Sequence, residues 1–253
     1  MMRVWPYFAL ILILGVLSCS LYETTSVVPP LTIPGAEYTS IRQCEPCHKE
    51  QSEFFENTTH ARISIKGMEK EGMGCGICHG PGSIHVEKPY EPDMILTPRK
   101  HPEVCFGCHL DKNAEFRLQY HHPVLEGKVS CGDCHNPMGQ MHARPWSLTS
   151  ELDINEICFK CHPEQRGPFV FEHEALRDGC TICHKVHGSI NDKLLIARDN
   201  NVCLQCHFQT QMDSTSFLIG NFNHASRIPR GTCFSADCHT AVHGSNFDDH
   251  LRY

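Results

Sequence analysis

The chain has 253 residues, with 22 lysines and arginines against 29 aspartates and glutamates, for a formal charge of −7 at pH 7. That balance argues against nucleic acid as a partner, because a phosphate backbone is held by cationic surface. Aromatic residues are only 8% of the chain while cysteine occurs 17 times and histidine 19 times, so the sequence is poor in large core-forming side chains and rich in groups that bind cofactors.

Residues 1–18 read as a lipoprotein signal peptide. Arg3 supplies a short positive region, and Val4 to Leu17 supply an apolar stretch of signal-peptide length, too short to span a bilayer comfortably. "VLSC" resembles a lipobox with Cys19 as the lipidated first residue of the mature chain; the other reading is an uncleaved anchor helix. Ser20 follows Cys19, and by resemblance to bacterial lipoproteins this points to the periplasmic side of the outer membrane. Residues 19–40 read as a tether, since Pro29, Pro30, Pro34 and Gly35 forbid a stable helix. Residues 41–253 form the remaining domain.

Setting Cys19 aside leaves 16 cysteines, or eight pairs. In an exported chain, paired cysteines first suggest disulfides. Here every pair ends in histidine. In chain order these are CEPCH (Cys44, Cys47, His48), CGICH (Cys75, Cys78, His79), CFGCH (Cys105, Cys108, His109) and CGDCH (Cys131, Cys134, His135). CFKCH (Cys158, Cys161, His162), CTICH (Cys180, Cys183, His184) and CLQCH (Cys203, Cys206, His207) follow. The eighth, CFSADCH (Cys233, Cys238, His239), has four residues between its cysteines.

C-x-x-C-H is the attachment signature of c-type haem. The two thiols add to the porphyrin vinyl groups, and the adjacent histidine offers its Nε2 to the iron from the proximal side. Structural zinc gives no reason for a histidine after every second cysteine, and a thioredoxin-like dithiol would need one motif in a βαβ context. Eight motifs therefore imply eight covalently bound c-type haems. The longer eighth loop is a rarer variant of the same attachment.

The motifs recur every 22 to 31 residues, a repeat whose period is set by cofactors. With fewer than 30 residues per haem, the haems must themselves be the core. The expected fold is a multihaem cytochrome c: mostly irregular, with short α-helices wrapped around a chain of closely packed haems and little or no β-sheet. Helical patches are expected at residues 50–57, 153–160 and 172–177. Haem propionates would take the ferric holoprotein to roughly −15.

Eleven histidines remain for the second axial positions: His60, His85, His101, His121, His122, His142, His173, His187, His224, His243 and His250. His60, His85, His122, His142, His173, His187, His224 and His243 are the candidate distal ligands, while His101, His121 and His250 read as surface or propionate-bonding side chains. His187 lies three residues after His184 and cannot easily reach the far face of the same ring, so it is expected to serve a neighbouring haem. His243 is placed alike. After CGDCH, Met138 occupies the position of His187 in its own repeat, with His142 four residues on. His142 is favoured because every other site reads as bis-histidine, with Met138 the alternative.

Residues 158–207, "CFKCHPEQRGPFVFEHEALRDGCTICHKVHGSINDKLLIARDNNVCLQCH", resemble the MtrA/DmsE-type periplasmic decahaem cytochromes motif for motif, as do "GCGICHGPGSIH" and "CHTAVHGSN". The resemblance covers most of Ile41 to Asn246 and includes Arg166–Pro168, Glu172–His173 and His187–Ser189. It implies a bis-histidine haem wire seated in an outer-membrane β-barrel porin, passing electrons between periplasm and exterior, with periplasmic and extracellular c-type cytochromes as partners. It carries His60, His85, His122, His173, His187 and His243 as distal ligands, and His224 less directly. The chain departs from the family in having eight motifs, with the missing pair falling between His85 and Cys105, and in having Met138 where the family has histidine. Eight-haem members of porin–cytochrome complexes are the nearest kind. Two other readings stand beside the conduit: a lipid-anchored periplasmic carrier or electron store, and a multihaem reductase. The sequence contains no C-x-x-C-K motif and has enough histidines to close all eight irons, so no catalytic residue is assigned. The direction of electron flow is open.

Overall fold

A computed structural model describes residues 32–63, 74–139, 151–235 and 238–253. The signal and lipidation region, including Cys19, and His142 lie outside these residues.

Each attachment motif folds as one tight turn closed by the same bond. The backbone N–H of the proximal histidine donates to the carbonyl of the first cysteine at 2.8–3.1 Å in all eight motifs, from His48 on Cys44 to His239 on Cys233. The eighth motif keeps this bond (2.8 Å) although two more residues separate its ends. Cys233 and His239 are therefore held together as in the shorter motifs.

Several turns extend into short helices, at Gly76–His79, Glu103–Phe106, Cys131–Cys134 and Asn200–Cys203. Two helices start directly after a proximal histidine, Lys49–Phe55 and Leu110–Glu115. The longest, Glu151–Phe159, runs into the fifth motif. None of these described helices is long and apolar enough to cross a membrane. At residues 172–177 the expected helix is replaced. Phe171–Glu172 is a two-residue strand, and a 3₁₀ turn follows at Glu174–Asp178. His173 is held extended (φ −89°, ψ 112°) so that its ring reaches across to Val242.

Extended structure is confined to small ladders. Tyr120–His121 pairs antiparallel with Gly188–Ser189, and Phe171–Glu172 with Gly244–Ser245. A three-stranded meander joins Gln209–Gln211, Phe217–Ile219 and Phe222–Asn223. The first two ladders are copies of one device. In each, a two-residue strand followed directly by a histidine, His122 or His173, pairs with the Gly-Ser of a Val-His-Gly-Ser segment. The serine hydroxyl then closes the following loop, Ser189 on the Leu195 carbonyl (2.7 Å) and Ser245 on the Arg252 carbonyl.

A hydrocarbon core is nearly missing. The buried hydrophobic residues among those described are Phe55, Phe106, Phe116, Val124, Leu195 and Ala241, and the most deeply buried side chains are Ser189 and Ser245. Six side chains, of which Phe106, Phe116 and Val124 form one small cluster, cannot offset the conformational entropy of ordering some two hundred residues. Apolar surface must therefore come from the prosthetic groups, as the motif density implies.

Candidate haem sites

Six proximal histidines each face one distal candidate. The ring centroids of His48 and His85 are 6.3 Å apart, His109 and His60 6.3 Å, His135 and His187 6.0 Å, His162 and His122 6.4 Å, His184 and His243 6.2 Å, and His207 and His173 6.2 Å. Direct stacking would bring the rings closer. Metal–imidazole bonds of about 2.0 Å, plus roughly 1.1 Å from nitrogen to ring centre, bring two imidazoles on opposite sides of one metal to about 6.2 Å. The gap in every pair therefore fits one iron.

Hydrogen bonds at the far ring nitrogen orient the rings. Nδ1 of His122 lies 2.6 Å from the Val186 carbonyl oxygen, and Nδ1 of His173 lies 2.9 Å from that of Val242. These are equivalent places in the two ladders. Among the proximal residues, His79 Nδ1 meets the Leu96 carbonyl at 2.9 Å, His184 that of Lys193 at 2.8 Å, and His239 that of His250 at 2.5 Å. With Nδ1–H donated to an oxygen, the tautomer leaves the Nε2 lone pair free for a metal. Burial also lowers the pKa of His79, His135, His207 and His243 below the ordinary imidazole value, which favours the neutral, ligating form. His85 Nδ1 is buried without a protein partner, an orphan expected of a ring that belongs to a larger group.

His187 differs. Its Nδ1 lies 3.1 Å from the Glu115 carboxylate. Lys112, 2.9 Å away, is the main cause of the lowered Glu115 pKa. A carboxylate on the outer nitrogen raises the basicity of a ligating imidazole. Glu115 carried no sequence signal, since an acidic residue in a short exposed helix is ordinary.

The cysteines reveal the order of the sites. First cysteines meet in pairs through thiol hydrogen bonds: Cys44 with Cys75, Cys105 with Cys131, Cys158 with Cys180, and Cys203 with Cys233. Second cysteines lie near enough to influence each other electrostatically across the intervening junctions: Cys78 and Cys108, Cys134 and Cys161, and Cys183 and Cys206. Hydrogen-bonded first cysteines and electrostatically coupled second cysteines alternate from the first motif to the eighth. Burial lifts Cys75 to about 11, while hydrogen bonds from Cys105 and Cys203 bring Cys131 and Cys233 down to about 7. As thioethers none of these sulfurs would titrate.

The other candidates are placed differently. His121 has both ring nitrogens occupied, Nδ1 by the Leu118 carbonyl (2.7 Å) and Nε2 by the Glu126 carboxylate (3.0 Å), so it has no lone pair to offer. His250 sits in an exposed cluster with Asp248 and Asp249. His224 Nδ1 bonds the Phe222 carbonyl at 2.9 Å. His101 is half-buried. His79 and His239 are the proximal histidines that no second imidazole faces among the described residues.

A chain that folds as repeated C-x-x-C-H turns, with histidine pairs spaced for iron and little hydrocarbon core among the described residues, is a multihaem c-type cytochrome. A doubled CXXCH family model matches residues 121–167 and 173–212. The chain is 33% identical to the multiheme cytochrome MtrA of Shewanella baltica, over 80% of this chain and 57% of the relative. It is 25% identical to the high-molecular-weight cytochrome c of Nitratidesulfovibrio vulgaris, over 82% of this chain and 37% of that protein. It is 23% identical to the dissimilatory sulfite reductase MccA of Wolinella succinogenes, over 72% of this chain and 29% of that protein. The chain thus spans little more than half of the MtrA relative and about a third of the other two. It belongs to the MtrA-type multihaem cytochrome family.

Proposed function

We propose that the protein carries eight c-type haems and conducts electrons between periplasm and cell exterior within an outer-membrane porin–cytochrome complex. The single observation that carries this reading is the alternation of cysteine contacts. It sets successive attachment sites side by side in chain order, as a wire requires and a set of isolated sites does not. Haem supplies reversible one-electron chemistry at iron. The chain's own residues attach, orient and space the groups. The six facing histidine pairs would ligate six irons, with His79 and His239 the proximal ligands of the other two and His224 the distal candidate for His239. Cys19 would anchor the chain to the periplasmic face of the outer membrane through residues 19–40. No described helix is long and apolar enough to cross a membrane, and on this reading a β-barrel partner supplies the passage.

The test is gentle solubilisation of outer membranes followed by affinity purification through a C-terminal tag. The expected outcome is a β-barrel protein co-purifying at near-equal stoichiometry with the haem stain. Haem free of any barrel, in the periplasmic or inner-membrane fraction, would overturn the conduit and favour a lipid-anchored carrier.

The likeness to MccA keeps an enzyme as a second reading. A reductase needs an iron with an open position, and the sites of His79 and His239 are where one would lie. A stoichiometric high-spin ferric signal, with carbon monoxide binding on reduction, would favour that reading.

A further inference from the structure

We propose that Met138 is the sixth ligand of the iron held by His79, giving one His/Met site in an otherwise bis-histidine chain. The inference rests on the haem reading above and on a threefold correspondence within the chain.

Met138-Gly139 and His187-Gly188 begin three residues after a proximal histidine, His135 and His184, and His243-Gly244 begins four after His239. The three glycines are seated alike. A Cβ on Gly139 would stand 2.5 Å from the Phe54 carbonyl oxygen, one on Gly188 would run into the Glu115 carbonyl, and one on Gly244 into the Phe169 ring. Phe54 lies six residues after His48, Glu115 six after His109, and Phe169 seven after His162. Each segment is therefore pressed onto the chain just beyond the proximal histidine three motifs earlier. Gly139 and Gly244 also share a positive φ, 70° and 136°.

This seat fixes which iron the preceding side chain meets. His187, in the sixth motif's segment, faces His135 of the fourth motif. His243, in the eighth motif's segment, faces His184 of the sixth. The same step back by two motifs takes Met138, in the fourth motif's segment, to His79 of the second. His79 is prepared as a ligand, with Nδ1 on the Leu96 carbonyl as His184 has its own on Lys193. No imidazole faces it among the described residues. Met138 is half-buried, and its thioether is a soft ligand suited to haem iron. His142 lies four residues further on and has no counterpart in the other two segments.

Methionine in place of histidine raises a haem's potential. The second site would then be the most oxidising of the chain, an electron well one step from its N-terminal end.

The test uses the full holoprotein. Haem content by mass comes first: fewer than eight haems per chain would mean that the underlying reading fails. With eight haems attached, the ferric protein should show a far-red methionine–iron charge-transfer band amounting to one haem in eight. Met138→Leu should abolish it, and Met138→His should abolish it while keeping all haems low-spin and shifting one-eighth of the redox titration to lower potential. His142→Ala should leave the band unchanged. Absence of the band in the wild-type protein, or its survival in Met138→Leu, would overturn the assignment with the haem count intact.

Discussion

The segments around His187 and His243 share one kind of ladder with different surroundings. They follow a proximal histidine by three and four residues, and both seat a glycine against an earlier repeat and close the next loop with a buried serine. What lies beneath them differs. Glu115 presents its carbonyl to Gly188 and its carboxylate to His187 Nδ1 at 3.1 Å, whereas under Gly244 lies the Phe169 ring. The position six residues after the proximal histidine is Glu115 in one repeat and Pro168 in the next. The repeated backbone fixes where a ligand stands, and a single side chain outside the repeat tunes how strongly it donates.

The comparison breaks most severely when a ligand is removed. His187→Ala and His243→Ala should each leave all haems attached but convert one haem in eight to a high-spin or rearranged state, read by the ferric spectrum and by carbon monoxide binding after reduction. An unchanged spectrum in either variant would remove that histidine from the ligand set.

A subtler change sharpens the difference between the copies. Glu115→Gln keeps the side-chain shape and withdraws the negative charge from His187. Loss of such an outer partner typically weakens a metal site by ten-fold or more, so the His135–His187 haem should rise by about 60 mV, one decade for a one-electron couple. Spectroelectrochemistry should show this for a single haem, and no equivalent change exists at His243.

The smallest effect concerns His121, which lies outside the ligand set although it is adjacent to His122. The Glu126 carboxylate raises its pKa. Its contribution is therefore fully present below the unfolded-state value near about 6.5 and is lost as pH rises through the higher folded value. His121→Ala should lower the melting temperature by a degree or two at acidic pH and by less in mildly alkaline buffer, with the haem spectrum unaltered. This exposed pair is worth at most a fraction of a kcal/mol.

What could be read from the sequence follows from how local each feature is. C-x-x-C-H is a five-residue signal, and its chemistry is stated within it. The distal candidates were legible because histidine is scarce elsewhere, and the spacing of His187 already pointed it at a motif other than its own, as its approach to His135 shows. Which neighbour each candidate meets was not legible, since His122 and His162 are brought together by a two-residue ladder too short for any periodicity to reveal. The carbonyls of Val186, Val242 and Leu96 that orient the rings are backbone atoms, which carry no residue preference. The helix expected over residues 172–177 gave way because Glu172 must pair with Gly244, a long-range contact that overrides local propensity. Glu115 was invisible for the same reason: its meaning depends on a residue 72 positions away.

The step back by two motifs imposes a parity on chain length. Because His187 and His243 each face a proximal histidine two motifs upstream, while His60, His122 and His173 each face that of the next odd-numbered motif downstream of their own interval, excising one motif would set odd donors against even sites beyond the cut. Excising two in succession leaves every donor in phase. Lineages of such proteins should therefore grow and shrink in twos, and a natural or engineered variant with an odd number of motifs should carry its irregularity at an end of the chain.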